Sequence, residues 1–304
     1  MTLITGTFLD GMACDVPSNN FTPEDWTKQF DEFRSLGMDT GIVIRAGWGN
    51  SSLYDSQVMR TTLFPEEDML ELFFREADRT EMKLFVGLYD SFCYWLKNDW
   101  DPEVELSSRL IDELLERYSH HRSFYGWYLC HEGDMRYHQE KIWNPLARKM
   151  RAITPDKLIL VSPRYCGIKY DPSCVLTPDQ HKRHFEYIFN EMNGLIDIAA
   201  FMDGHVDYKD LGVFAEVTAE VCAKYGIEFW SNLETFDRDM PWRFPPIEFT
   251  KLEYKLKAVQ PYASKVITFE APHFLSSLSM FPSARNLLRC YRKKHEQELN
   301  VLSR

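Results

Sequence analysis

Eight short apolar runs recur along the chain, and a longer segment with helical spacing follows each one. The runs are LITGTFLD (3–10), GIVIRAGW (41–48), KLFVGLYD (83–90), FYGWYLCHE (124–132), KLILVSPRY (157–165), IDIAAFMDG (196–204), IEFWSNLETF (227–236) and VITFEAPHF (266–274). Their starts lie roughly 30–45 residues apart, about the length of one strand–helix unit. The segments between them follow helix grammar. TPEDWTKQFDEFRSLG (22–37) offers Thr as an N-cap, Pro in the first turn, early acids and a closing Gly. Trp26, Phe30, Phe33 and Leu36 recur on one helical face. Helices are likewise expected over 65–80, 102–119, 136–153, 178–192, 209–225, 245–260 and 282–302. Eight alternations predict the α/β class and a single (β/α)8 TIM barrel spanning residues 1–304. An open doubly wound sheet is the competing architecture, and it usually carries a glycine-rich phosphate turn after its first strand. Here the first run ends in FLDGMACD, with no GxGxxG.

Composition narrows the partners. The 304 residues are 44% hydrophobic, enough for a large core. A net charge of −11 argues against nucleic acid and against an anionic membrane, because phosphate binding needs an excess of Lys and Arg. The charge is compatible with neutral substrates, and the 14% aromatic content can furnish sugar platforms, although filling a large core is the commoner use of such residues. Seven scattered cysteines without CxxC suit neither a disulfide framework nor a zinc cluster. The first residues, MTLITGTFLDG, lack the basic and apolar regions of a signal peptide. No apolar run approaches the ~20 residues of a membrane span. A soluble, cytoplasmic protein is expected, or an exported one if a leader has been removed. The oligomeric state, a homo-oligomer included, is open.

The ends of the runs carry the chemistry. In a barrel, catalytic groups cluster where strands end. Side chains alternate along a strand, so Gly126, Tyr128, Cys130 and Glu132 share a face, assigned to the interior, while Tyr125, Trp127 and Leu129 should pack outward under helices. In run seven, Trp230, Asn232 and Glu234 share a face. Glu270 ends run eight, Asp203 ends run six with His205 just beyond, and Arg45 and Arg164 supply positive charge. One such carboxylate is ordinarily a loop group or a structural ion pair. Four at four strand ends point to function, since buried charge is costly without a partner.

Two carboxylates facing each other over a closed pocket suit glycosidic bond cleavage. One, protonated, donates to the leaving oxygen; the other, ionised, attacks the anomeric carbon or activates water. Glu132 and Glu234 are the catalytic candidates, on strands four and seven, which are expected on opposite sides of the barrel. Arg45, Trp48, Tyr89, His131, Arg164, Asp203, His205, Trp230, Asn232 and Glu270 are the substrate-binding candidates. Trp48 is expected in a loop, and Trp95, Trp100, Tyr165 and Trp242 are further aromatics near the mouth. No cofactor is required, and no metal ligands are assigned.

A glutamate ending strand four and another ending strand seven resembles the clan A glycoside hydrolases, the "4/7" superfamily of (β/α)8 enzymes. That resemblance implies Glu132 as acid/base and Glu234 as nucleophile, with retention. ITGTFLD, FRSLGMDTGIVI, GWYLCHE and FWSNLETF together resemble a glycosidase-like barrel family catalogued as domain of unknown function 4434. Many clan A enzymes place Asn just before the acid/base glutamate, where it binds the sugar 2-hydroxyl; here the position is His131.

Two other readings remain open from sequence. A metal-dependent barrel, such as a sugar isomerase, could draw ligands from His131, Glu132, Asp203, His205, Glu234, Glu270 and His273. A carbohydrate-binding barrel without catalysis is the other. His120, His121, His181 and His184 are expected on the surface, away from the mouth.

Overall fold

The computed structural model describes residues 3–12, 21–64, 66–133, 135–169, 171–238 and 244–302. Eight parallel strands close into a barrel: β1 (Gly6–Leu9), β2 (Thr40–Val43), β3 (Lys83–Gly87), β4 (Phe124–Leu129), β5 (Leu158–Val161), β6 (Ile198–Met202), β7 (Glu228–Glu234) and β8 (Lys265–Phe269). Each strand pairs with the next in sequence, and closure comes from Gly6 opposite Ile267. The helices are α1 (Pro23–Ser35), α2 (Met69–Thr80), α3 (Trp100–Tyr118), α4 (Glu140–Ile153), α5 (Pro178–Met192), α6 (Leu211–Lys224), α7 (Phe249–Val259), the short α8 (Ala271–Phe274), α9 (Pro282–Lys294) and α10 (Glu296–Leu302). The barrel and its alternation are those the sequence predicts. Among the described residues, no helix is long and apolar enough to cross a membrane.

Local chemistry sets the helix starts. Thr22 and Asp25 form a reciprocal capping box at α1, as Thr177 and Gln180 do at α5, each with Pro in the first turn. The second helix begins later than its sequence pattern suggests, because Asp68 accepts from the Glu71 amide and caps there.

Aromatic side chains fill the barrel interior. The Tyr128 ring meets Phe8 from across the barrel at 5.4 Å, and Phe85 meets Trp230 edge-on at 6.1 Å. Outside, the Trp127 indole donates to Thr154 at the end of α4. Tyr125 departs from expectation: it is 38% exposed and packs against Phe85 and beneath Lys83 rather than under a helix. A register shift beside Phe85 places Leu84 opposite Phe124 but Phe85 opposite Gly126, leaving Tyr125 outside the ladder.

The histidine expectations also need correction. His181 is fully buried among the rings of Tyr165, Phe185, Phe201 and Phe214. Its Nε2 lies 3.0 Å from the Thr218 hydroxyl, and burial pushes the imidazole down to about 3. The His121 ring is largely covered, stacked on Phe74.

One feature was not expected from sequence. Gly47–Trp48, Ser51–Ser52, Thr61–Thr62 and Tyr89–Asp90 form a small sheet beyond the ends of β2 and β3. Trp48 therefore lies in a short strand rather than a free loop.

Candidate active site

Glu132 lies three residues beyond β4, half-buried, and the Tyr128 hydroxyl donates to its Oε1 at 3.2 Å. Burial pushes the Glu132 carboxyl up; Arg164 and Arg45 pull it back in part, and Asp90 pushes it further up. Arg45 stands 3.7 Å from Asp90 and 5.6 Å from the centre of the Trp48 ring. Burial works against the Arg45 charge, but Asp90, Asp10 and Glu132 outweigh it and raise its pKa.

Glu234 is the last residue of β7 and is 1% exposed. Arg238 grips it with two bonds, Nε to Oε2 at 2.7 Å and a terminal nitrogen to Oε1 at 2.5 Å. Burial alone would raise this carboxyl, yet Arg238, His205 and Lys255 bring it below the ordinary glutamate value. Gly204 makes room for the arrangement, since a Cβ there would stand 1.6 Å from Oε2. The charge of Arg238 bears on Glu132 and Asp203 as well as Glu234, so one guanidinium senses carboxylates delivered by three strands. The two catalytic candidates are not diametrically opposed: β5 and β6 separate β4 from β7.

The other candidates divide by depth and direction. Asp203 accepts from the Glu234 backbone amide at 2.9 Å and from the buried Lys255 of α7 at 3.1 Å. It anchors the end of β7 from the helix side, and burial raises its pKa against the pull of Lys255. Glu270 accepts from the Asp10 amide at 3.1 Å and pairs with His273, whose imidazole burial pushes down to about 4. Both carboxylates are therefore engaged by protein groups.

Asn232 reaches the Ser162 hydroxyl at 3.2 Å, while its buried Oδ1 has no hydrogen-bond partner. Trp230 faces inward, as its phase with Glu234 predicts, but four residues lower. At ~3.3 Å per residue that is ~13 Å beneath Glu234. It packs on Phe85 and Lys265 and plugs the floor instead of the mouth. Tyr89 donates its hydroxyl to the Gly49 carbonyl at 2.9 Å, tying the small sheet together. Trp48 packs edge-on to the exposed Phe92. Arg164 is half-buried beside Glu132 electrostatically, and His205 is buried near Glu234.

His131 turns away from the pocket. Its Nε2 lies 3.0 Å from Glu103 of α3, both side chains are fully buried, and Trp95 meets the ring edge-on. This corrects its assignment as a substrate ligand: residue 131 is out of phase with 128 and 132, so it packs under the helix layer. Tyr165 is likewise buried on the outer side, stacked on Phe201. Trp95 donates to Asp90, and Trp242 lies outside the described residues.

Of the side chains named for the metal-dependent reading, His131 is taken up by Glu103 of α3, away from the other candidates. Among the described residues, the group of three or more His, Cys or carboxylate side chains close enough to share one ion is Glu71, His120 and His121, outside the mouth.

Sequence reasoning missed Arg238, Lys255 and Gly204, and it put Tyr128 on the interior face without foreseeing its bond to Glu132. Arg238 had a signal: ETFDR places a cation four residues past a strand-end glutamate. Lys255 had none, since its role exists only once α7 packs against the barrel.

A family model described as Domain of unknown function (DUF4434) matches residues 4–283. A crystal structure from Bacteroides thetaiotaomicron VPI-5482, of a protein provisionally named an α-L-fucosidase, matches with a TM-score of 0.91 and 34% identity, covering 97% of this chain and 94% of that one. An endo-1,4-β-D-mannanase from Thermotoga petrophila RKU-1 gives 0.63 at 10% identity, covering 96% and 100%. A family GH99 endo-α-mannosidase from Bacteroides thetaiotaomicron gives 0.56 at 11% identity, covering 92% and 80%. The last two speak for the fold alone. No curated protein sequence matches the chain.

Proposed function

The chain belongs to the DUF4434 family, and on that premise we propose that it hydrolyses a glycosidic bond with retention, using Glu132 as acid/base and Glu234 as nucleophile. The observation that carries this reading is the opposite tuning of the two carboxyls. Burial beside Asp90 keeps Glu132 ready to hold a proton, and Arg238 keeps Glu234 ionised. Pairs of acids whose environments push them apart mark the donor and the nucleophile.

In the first step the Glu132 proton passes to the glycosidic oxygen while a Glu234 oxygen bonds to the anomeric carbon and the aglycone leaves. In the second, Glu132 takes a proton from water, the water oxygen attacks the anomeric carbon, and Glu234 is released. Arg45 and Arg164 flank Glu132 and restrain the rise in its pKa, so the proton can be given up as the leaving oxygen gains charge. Asn232, two residues before Glu234 and in phase with it, carries a buried side-chain oxygen with no hydrogen-bond partner and is a candidate contact for a sugar hydroxyl.

The provisional name of the 34%-identical protein makes an α-L-fucoside the first substrate to try. The test is a panel of aryl glycosides beginning with 4-nitrophenyl α-L-fucoside. Glu234→Gln should lose several orders of magnitude in kcat. Glu132→Gln should keep more activity on an activated leaving group and yield a glycosyl azide of retained configuration when azide is added. Undiminished turnover in both variants would overturn the assignment.

A further inference from the structure

On the outer wall of the barrel, the turn between α3 and β4 brings two adjacent histidines against α2. The His121 ring lies flat on Phe74, with centroids 4.9 Å apart and an interplanar angle of 7°. Its Nδ1 is 2.7 Å from Asp78 Oδ2, and its Nε2 is 3.1 Å from Glu71 Oε2. Asp78 is itself fixed, since its other oxygen accepts from the Ser123 amide at 2.8 Å and its carbonyl accepts from Arg122 at 2.6 Å. The exposed His120 ring lies 4.1 Å from that of His121. One ligand atom from each of Glu71, His120 and His121 falls within 4.8 Å of the other two.

This is more than a charged surface patch. A carboxylate accepting from one imidazole nitrogen fixes the tautomer and aims the other lone pair outward, the usual support of a metal-bound histidine. With Nδ1–H donated to Asp78, the Nε2 lone pair faces the Glu71 carboxylate. Two acceptors at that separation need a cation between them, either a proton or a metal ion. Zinc binds N and O ligands at ~2.0–2.2 Å in a tetrahedral shell, which sets ligand atoms ~3.3–3.5 Å apart. Glu71 and His121 are already near that spacing, and His120, being exposed, can close by a rotamer change.

We propose that Glu71, His120 and His121 form a binding site for a zinc-like divalent cation, with Asp78 orienting His121 and solvent completing the shell. The donor set, two imidazoles and one carboxylate, suits Zn²⁺ and its borderline neighbours over Ca²⁺ or Mg²⁺. Binding would clasp α2 to the α3–β4 turn. The charged groups facing His121 are Glu71 and Asp78 from α2 and His120 and Arg122 from its own turn. The ion displaces whatever proton bridges His121 and Glu71, so affinity falls as acid restores it.

The test is titration of the full chain with zinc chloride alone, followed by calorimetry and by the melting temperature. One ion per chain should bind at about pH 7.5, at least tenfold more weakly at about pH 5.5. Glu71→Ala and His120→Ala, both at accessible positions, should abolish binding with circular dichroism unchanged. Asp78→Asn should weaken it about 10–100-fold. No stoichiometric binding at the higher pH, or binding unchanged in Glu71→Ala and His120→Ala, overturns the site and leaves a proton-bridged ion pair in its place.

Discussion

Arg238 holds both carboxylate oxygens of Glu234 from a position four residues further along the chain. A bidentate guanidinium–carboxylate pair fixes orientation as well as charge. The guanidinium lies over the rings of Phe236 and Phe244, which limits its competing contact with water. Glu234 is thus kept ionised in a buried place that would otherwise favour its neutral form.

Removing that cation lets burial dominate. In Arg238→Ala the Glu234 carboxyl should rise by about one to three pH units. The acidic limb of the kcat/KM profile should move up with it, and Arg238→Lys should restore part of the shift. Stability follows the same sign. A depressed carboxyl contributes above its unfolded pKa and loses that contribution as pH falls through the folded one. Acid unfolding of Arg238→Ala should therefore begin at higher pH than in the parent, as followed by circular dichroism.

Gly204→Ala tests the space that Glu234 occupies. The added methyl would lie 1.6 Å from Oε2 and must displace the carboxylate. A displacement of about 1 Å costs on the order of a hundredfold in rate. A matching fall in kcat/KM is expected with the fold retained; an unchanged rate would place Glu234 outside the reaction.

Lys255 and Asp203 form a buried pair, at 4% and 2% exposure. Lys255→Met leaves the buried Asp203 without its cation, with only the Glu234 amide bonded to it, at a cost of about 3–5 kcal/mol. Urea unfolding should show that loss, and adding Asp203→Asn should recover part of it. Full stability in Lys255→Met would mean that the pair does not anchor β7.

His131 separates packing from substrate contact. His131→Ala leaves the Glu103 carboxylate short of a buried partner, which costs about 1–3 kcal/mol. The urea midpoint should fall while KM for an aryl glycoside stays unchanged. A large rise in KM with stability intact would return His131 to the pocket.

Eight alternations of period-two and helical patterning determined the barrel, and the same period marked Glu234 as the last residue of β7, in phase with Trp230, while Glu132 lies three residues past the end of β4. Both follow from local backbone geometry, which the sequence carries within each run. Tertiary structure decided depth and partnership. Trp230 shares a face with Glu234 yet lies on the floor, because a face does not specify a layer. Asp203, Glu270 and His131 met Lys255, His273 and Glu103, and two of those three partners come from helices of other strand–helix units. A carboxylate becomes an acid, a nucleophile or an anchor according to the charge packed beside it, and that charge arrives only when the helices close around the barrel.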